Sequence, residues 1–426
     1  MMKRKNIVNM TALRQRARIV AGRLLCFLSM FQCFNVSILS LTSCEREPLL
    51  HLYDARELEI QMPEVELELD VLWDYELSFD VHYDWKAEWY YDWDDVDREI
   101  FGELGYAEPT VFNLRRYYTG SEAYAPHTYV HAPPPIQGRY FRDRFDWGYW
   151  DLLAWNDIQT LDGVQSLVFD EETSLDSVMA YTNPSMQMSR YHAPRYNRSF
   201  YSPEPLFAAY EQAIDINPDL RGFVYDKERG IYVRTLNMLL QPITYIYLTQ
   251  VILHHNKGRV TGVDGNANLS GMARSTTLNS GRAGDDAITV YYNCRMKKDL
   301  PLVPYDTPKD SPRRKTVEHV DIIGGRLMTF GMCGQTPHKL THHSQVTDQQ
   351  RHYIDVTMQF YNATDSTLVF DVTDQVRRRY KGGVLTVELD MDTIPVPTRN
   401  GGSAFDAVVK DFEEETYEFD VGGGAR

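Results

Sequence analysis

Residues 64–85 of the chain read EVELELDVLWDYELSFDVHYDW. Every odd position from Val65 to Trp85 is apolar, and Leu72 is the one apolar residue at an even position. Side chains that alternate with period two predict a β-strand with one buried face. At roughly 3.3 Å per residue the run would exceed ~65 Å, which is too long for one strand of a compact domain. We therefore expect it to bend or to cross between the two sheets of a sandwich.

Further strand-like segments cover the rest of the chain in two groups, separated by turn-rich sequence. The first group comprises residues 110–118, 150–156, 166–170 and 231–237. The second comprises residues 243–254, 288–296, 321–332, 354–361, 367–372, 384–391 and 416–421. The segments 306–315 and 336–350 are interpreted as loops. A boundary near Thr235 predicts an N-terminal β-sandwich domain over residues 44–235 and a C-terminal one over residues 236–426.

Helical sequence is scarce. Short helices are predicted around residues 95–104 and 206–214. Parallel β/α folds need a crossover helix between successive strands, so the pattern predicts an all-β, antiparallel fold. The 426 residues are 43% apolar and carry a formal net charge of −16. That acidity argues against nucleic acid as a partner.

The first 43 residues have the order of a secretory signal, in which a basic segment precedes an apolar run. The basic residues are Lys3, Arg4, Lys5, Arg14, Arg16, Arg18 and Arg23, with no acid among them. The run over residues 24–41 ends in Leu41-Thr-Ser-Cys44, which resembles a bacterial lipobox. We therefore predict a lipoprotein signal peptide over residues 1–43 and a lipid, such as palmitate, on Cys44. A single membrane-spanning anchor is the alternative, and translation could begin at Met10.

Two cysteines, Cys294 and Cys333, would remain in the mature chain besides Cys44. Each lies in or just after a strand-like segment, so they could face each other on neighbouring strands. They could form one disulfide or remain as two buried thiols.

The lipobox, the segment 44–48 (CEREP) and the acidic first strand together resemble the fimbrillin-type surface lipoproteins of the Bacteroidota. The resemblance is closest in residues 236–254 (LNMLLQPITYIYLTQVILH), 267–273 (ANLSGMA) and 320–331 (VDIIGGRLMTFG). Residues 269–273 are similar to the loop that enters a strand of the second fimbrillin sandwich.

This resemblance implies two tandem transthyretin-like antiparallel β-sandwich domains, lipid-anchored at the outer membrane on the cell surface. It implies a role in fimbrial (pilus) assembly, anchoring or adhesion. The implied partners are other fimbrillin-like subunits, which bind by strand addition or edge contacts, and a host glycan or protein. Polymerising members are trimmed by an arginine-specific protease. No arginine here is matched to that cleavage site, which favours an anchoring or accessory role.

Three groups of side chains suggest other chemistry. Oxygen-bearing side chains alternate from Asp264 to Ser270, as in a calcium loop, but Leu269 replaces the glycine that such a loop needs. His338, His342, His343 and His352 fit no zinc spacing. An ordinary loop is expected in both places, with no metal and no cofactor.

An aromatic cluster, by contrast, could form a sugar-stacking platform among carboxylates, or could simply pack at the end of the first sandwich. Its members are Trp85, Trp89, Tyr90, Tyr91 and Trp93. Adjacent acids alone do not indicate glycoside hydrolysis. The sequence contains no nucleophile elbow, phosphate loop or His-Glu-x-x-His motif. We therefore expect no catalytic residues, and the rival to a fimbrial role is a carbohydrate-binding surface lipoprotein of a nutrient-uptake system.

Overall fold

The computed structural model describes residues 64–73, 83–158, 165–170, 175, 178–188, 198–335 and 350–398, and the backbone of residues 407–409 and 418–419. Within these residues the fold is all-β, as predicted, and consists of two large sheets and one small sheet. The signal segment 1–43, Cys44 and the histidines His338, His342 and His343 lie outside the described residues. No helix in the described ranges is long and apolar enough to cross a membrane.

The first sheet contains nine strands. They are β1 (Val65–Trp73), β2 (Val111–Gly120), β3 (Tyr129–His131), β4 (Ile136–Gln137), β5 (Tyr140–Arg144), β6 (Gly148–Asn156), β11 (Phe207–Ile216), β12 (Val224–Asp226) and β13 (Ile231–Pro242). The main path runs β3-β2-β6-β11-β13-β1-β5, with β4 paired to β2 and β12 paired to β13.

Strand β1 lies inside this sheet. It runs parallel to β13 and antiparallel to β5. Val65, Leu67, Leu69 and Val71 are buried, as the alternating pattern predicts. The predicted continuation to Trp85 is wrong at its end, because Trp85 begins a short helix, α1 (Trp85–Glu88).

The second sheet contains eleven strands. They are β9 (Gln187–Met188), β10 (Ser199–Tyr201), β14 (Tyr245–His254), β15 (Val260–Ala273), β17 (Ala287–Pro301), β18 (His319–Thr329), β19 (Tyr353–Phe360), β20 (Asp365–Asp371), β21 (Gly383–Asp390), β22 (Ala407–Val409) and β23 (Glu418–Phe419). The path is β21-β14-β18-β17-β15-β19-β20-β22-β23, with β10 on β17 and β9 on β10.

The third sheet is small and has the order β16-β8-β7. Its strands are β7 (Leu167–Asp170), β8 (Met179–Thr182) and β16 (Ser275–Thr277). Two further α-helices are present in the described chain, α2 (Asp95–Phe101) and α3 (Thr373–Arg378), besides short 3-10 helices at Pro184–Met186 and Pro312–Lys315. Helix α2 confirms the helix predicted near residues 95–104.

Two predicted elements are wrong. The helix expected over residues 206–214 is strand β11, in which a bulge between Glu211 and Ile214 breaks the period-two pattern. The loop expected over residues 264–273 belongs to strand β15, which lies between β17 and β19. Its bulges likewise interrupt the alternation from which a strand could be predicted.

Strand β14 explains how the second sheet is covered on both faces. Tyr247 and Val251 point into a core between the curled strands of this sheet. Ile246 and Leu248 point into a second core, which they share with residues of the first sheet. A strand buried on both faces reads as a nearly continuous apolar run, and β14 is apolar from Tyr245 to Leu253 except at Thr249 and Gln250.

The predicted boundary near Thr235 lies within strand β13, where Thr235 pairs with Glu68 of β1. The first sheet therefore extends to Pro242. The division into two separately folding domains stays a prediction.

Candidate functional site

The segment 83–106, here called the aromatic segment, contains the residues proposed as a sugar platform. Trp89 and Tyr91 are fully buried, and Trp93 is 3% exposed. Their rings pack against one another, with centroids 5.8 Å apart for Trp89 and Tyr91. Trp85 and Tyr90 are partly buried against the same core. The five residues therefore do not present a platform, and the packing interpretation replaces it.

The aromatic segment packs on the second sheet at a pair of glycines. A Cβ atom added to Gly324 of β18 would lie 2.3–2.6 Å from carbons of the Tyr91 ring. A Cβ on the neighbouring Gly325 would meet the ring of Tyr292 at 2.7 Å. Glycine in the interior of a strand commonly marks such a close approach. These two glycines leave room for aromatic rings on the sheet.

A buried ionic cluster holds the same segment in place. The carboxylate of Asp97, which is fully buried, accepts hydrogen bonds from Tyr91 (3.1 Å), Arg295 (3.1 Å) and Lys297 (2.5 Å). Asp97 also accepts from the backbone of Asp94, whose own carboxylate caps helix α2. Both basic residues come from β17, so the cluster ties the aromatic segment to the second sheet.

The cluster shifts the titration of its members. Burial, followed by the charge of Asp97, raises the pKa of the Tyr91 hydroxyl. Burial acts to raise the pKa of Asp94, but hydrogen bonds from Lys297 and Asp97 outweigh it and leave that pKa well below its usual range. Burial acts to lower the pKa of Arg295, but its hydrogen bond to Asp97 outweighs this and raises that pKa. Near neutral pH, Asp94 and Arg295 are therefore charged and the Tyr91 hydroxyl stays protonated.

Side chains close the β21 edge of the second sheet at Val384 and Thr386. The carboxamide of Gln375 accepts from the Thr386 N–H (2.9 Å) and donates to the Thr386 carbonyl (2.8 Å). The hydroxyl of Tyr83 accepts from the Val384 N–H at 3.1 Å. Satisfying the outward backbone groups of these two residues removes that part of the edge as a template for pairing with another chain.

Strand β20, toward the other end of the sheet, is covered over only part of its length in the described residues. Strand β20 pairs with β19 from Asp365 to Asp371. On its outer side, only Val369 and Phe370 pair with β22. Residues 365–368 therefore have no strand partner on that side among the described residues. Open main-chain groups on a strand are what a partner uses when it adds an extended segment to a sheet.

Strands β11 and β13 of the first sheet diverge and leave a cleft, here called the β11–β13 cleft. Its volume is about 560 Å³. Strand β11 pairs with β13 only through Phe207 and Ala208. The bulge after Glu211 turns β11 away, and Ala213 adopts a φ of 55° there. A hydrogen bond of 2.7 Å from the Ala213 N–H to the buried carboxylate of Asp151 holds this conformation.

The other predicted sites are dispersed. Cys294 and Cys333 are buried thiols in two different hydrophobic clusters. Burial, with a smaller effect of Asp264, raises the pKa of Cys294 to about 12. His352 is buried beside β19 rather than in a solvated loop. In β15, Asn268 and Ser270 are buried while Asp264 is exposed, so these oxygens do not converge.

Among the described residues, His255, Asp390 and Asp392 could meet on a metal ion. All three already have other partners. His255 contacts Asp390 at 3.0 Å, and Lys257 contacts Asp392 at 2.7 Å. The hydrogen bond to Asp390 raises the pKa of His255. We interpret this group as an ion-paired turn.

No family model and no curated protein sequence matches the chain. Solved structures with a similar overall arrangement include a candidate adhesin from Bacteroides ovatus, 12% identical over 79% of this chain and 96% of that one, with a TM-score of 0.41. The fimbrial anchor protein Mfa2 from Porphyromonas gingivalis is 11% identical over 76% and 90%, with a TM-score of 0.38. The truncated tip fimbrial protein Mfa3 from the same organism is 8% identical over 72% and 82%, with a TM-score of 0.30. Similarity at this level does not assign a function to this chain.

Proposed function

We propose that the chain is a non-enzymatic surface protein, lipid-anchored at the outer membrane through Cys44, that takes part in fimbrial assembly, anchoring or adhesion. The observation that carries the proposal is the open stretch of β20 in the second sheet. Side chains close the β21 edge at Val384 and Thr386, whereas residues 365–368 of β20 have no strand partner on their outer side among the described residues. A partner that adds an extended strand therefore has an available edge there. Its main-chain groups would pair with β20.

The direction of the backbone groups on β20 follows from the ladder with β19. The Phe360 N–H donates to Thr364 O, and the Val372 N–H donates to His352 O. Hydrogen-bonded pairs alternate in an antiparallel ladder. The N–H groups of Ser366, Leu368 and Phe370 therefore point to β19. The N–H of Thr367 points outward, where a carbonyl oxygen of a partner strand would accept its hydrogen bond.

Replacing Thr367 with proline should reduce assembly with partner subunits without unfolding the sheet. Proline removes the outward N–H and is tolerated on an edge strand whose N–H faces solvent. The measurement is chemical cross-linking of intact cells, in which we expect the high-mass species to fall at least ~5-fold, corresponding to ~1 kcal/mol for one lost main-chain pairing.

Thr367→Val is the matched control. It removes the hydroxyl that lies 2.9 Å from the Thr357 hydroxyl but keeps the N–H. This control should cross-link like the parent, and both variants should melt cooperatively. A folded Thr367→Pro protein with undiminished cross-linking would exclude β20 as the assembly edge.

The lipid anchor has a separate test. Cys44→Ser should prevent lipidation and leave the protein soluble or unprocessed, because the acidic chain has no charge attraction to an anionic membrane surface. Membrane fractionation with labelled palmitate measures this, and we expect the label to be lost entirely. Normal signal cleavage with continued outer-membrane fractionation would disprove the assignment.

A carbohydrate-binding role remains the second candidate. The aromatic segment no longer supports it, because Trp89, Tyr91 and Trp93 are buried. The observation that favours it instead is the polar lining of the β11–β13 cleft.

A further inference from the structure

The β11–β13 cleft exists because one strand of the first sheet lacks a neighbour over part of its length. On the side away from β1, β13 pairs with β12 through residues 231–233 and with β11 through Gln241 and Pro242. Residues 234–240 between them have no strand partner on that side within the described part of the chain. Main-chain donors and acceptors therefore lie in one wall of the cleft.

The lining of the cleft has a distinctive composition. Most of its side chains end in a planar carboxylate, carboxamide or guanidinium group. Six of these residues are Glu211, Asp215, Asn217, Asp219, Arg221 and Arg234. The apolar part includes Phe223 and Leu236. A ligand that fits must offer many donors and acceptors together with a small apolar face.

The two arginines are available to a ligand. Arg234, which is half-buried, donates one hydrogen bond to the Asp215 carbonyl at 3.3 Å, and the structure shows no ion pair for it among the described residues. Arg221 is exposed and likewise has no ion pair there, although three carboxylates line the same cleft. Charged groups that share a cleft without pairing retain their capacity to bind hydroxyl groups.

We infer that the β11–β13 cleft is a saccharide-binding site. Adjacent hydroxyl groups of a sugar donate and accept together, so a planar carboxylate, carboxamide or guanidinium can bind two of them at once. The aromatic ring of Phe223 offers an apolar surface to the C–H face of a sugar ring. The volume of about 560 Å³ lies within the range of small-ligand pockets.

An extended peptide fits the cleft less well. Peptides that add to a strand edge gain specificity from pockets for alternate side chains, and the lining here is largely charged or carboxamide-bearing. The inference does not depend on fimbrial assembly, because the cleft lies in the first sheet and the open β20 edge in the second.

The test starts with the full mature chain on a printed array of mono- to tetrasaccharides containing hexoses, N-acetylhexosamines and hexuronic acids. The tightest-binding glycan is then titrated calorimetrically against the double variant Asp219→Ala, Arg221→Ala. Both residues are exposed and lie in a turn, so the fold should persist. We expect the affinity to fall at least ~10-fold, since a hydrogen bond to a charged group contributes ~1.5–3 kcal/mol.

The matched control is Lys309→Ala with Asp310→Ala, which removes the same two charges from an exposed turn away from the cleft. The control should keep the affinity within ~2-fold of the parent. The inference is overturned if the folded parent binds no glycan on the array or if both double variants bind equally well. It is also overturned if a library of extended peptides, rather than any glycan, binds the parent and loses affinity in the cleft variant.

Discussion

Replacing Asp97 with alanine should lower the free energy of unfolding by ~3–5 kcal/mol, the cost of breaking a buried ion pair from one side. The Lys297 side chain is 10% exposed and would lose its 2.5 Å contact with Asp97. The Asp94 carboxylate, 2.9 Å from the same ammonium, would remain as its one carboxylate partner among the described residues. Urea denaturation followed by tryptophan fluorescence measures the change, because Trp89 and Trp93 lie in the same core.

Asp95→Ala is the control for this prediction. Asp95 belongs to the same helix, its side chain is 98% exposed, and its ion-pair partner in the described part of the chain is Arg98. Surface ion pairs of this kind contribute ~0–1 kcal/mol to the free energy of unfolding. If the two variants proved equally stable, the ionic cluster would not be what holds the aromatic segment on the second sheet.

Replacing Gly324 with alanine should destabilise the fold by ~1–3 kcal/mol, since adding a methyl group to a well-packed core forces its neighbours to move. The new Cβ would lie 2.3–2.6 Å from the Tyr91 ring, closer than any real contact. The Tyr91 ring cannot easily move away, because its hydroxyl donates to buried Asp97. Thermal denaturation of the purified protein is a suitable measurement.

Two companion variants separate this clash from a general effect of glycine. Gly105→Ala lies in the same segment, and nothing stands within 4 Å of its new Cβ, so we expect little change in melting temperature. In a Tyr91→Ala background Gly324→Ala should lower the free energy of unfolding by less, because the effects of substitutions at two residues in contact are not additive. An equal cost in both backgrounds would contradict the proposed contact.

Several features of the fold were predictable because they depend on local pattern. The alternation from Val65 to Val71 predicts the buried face of β1, and the structure has that face. The apolar run around residues 245–253 predicts a strand, and β14 is buried on both faces. The sequence predicts a helix where β11 lies, because the bulge breaks the period-two alternation of its side chains. A bulge is set by neighbouring strands and leaves no reliable local signal.

The candidate sites were much less predictable. The aromatic residues from Trp85 to Trp93 suggest an exposed sugar-binding platform in the sequence, because carboxylates flank them. Their burial depends on Gly324, Arg295 and Lys297, which come from strands about 200 residues later in the chain. The β11–β13 cleft has no sequence signature, since it arises where two strands diverge.

The sequence by itself determined the all-β class and the buried face of β1, because the direction of successive side chains along a strand follows from the backbone of that strand alone. It also supplied the Leu41-Thr-Ser-Cys44 motif on which the proposed lipid anchor rests, because such a motif is local. Only the tertiary structure decided that the aromatic segment lies on the second sheet, that Gln375 covers Thr386 at one edge while residues 365–368 of β20 have no outer strand partner among the described residues, and that polar side chains line a cleft. Each of these depends on how separate elements pack against one another, and the local pattern of a segment does not determine that packing.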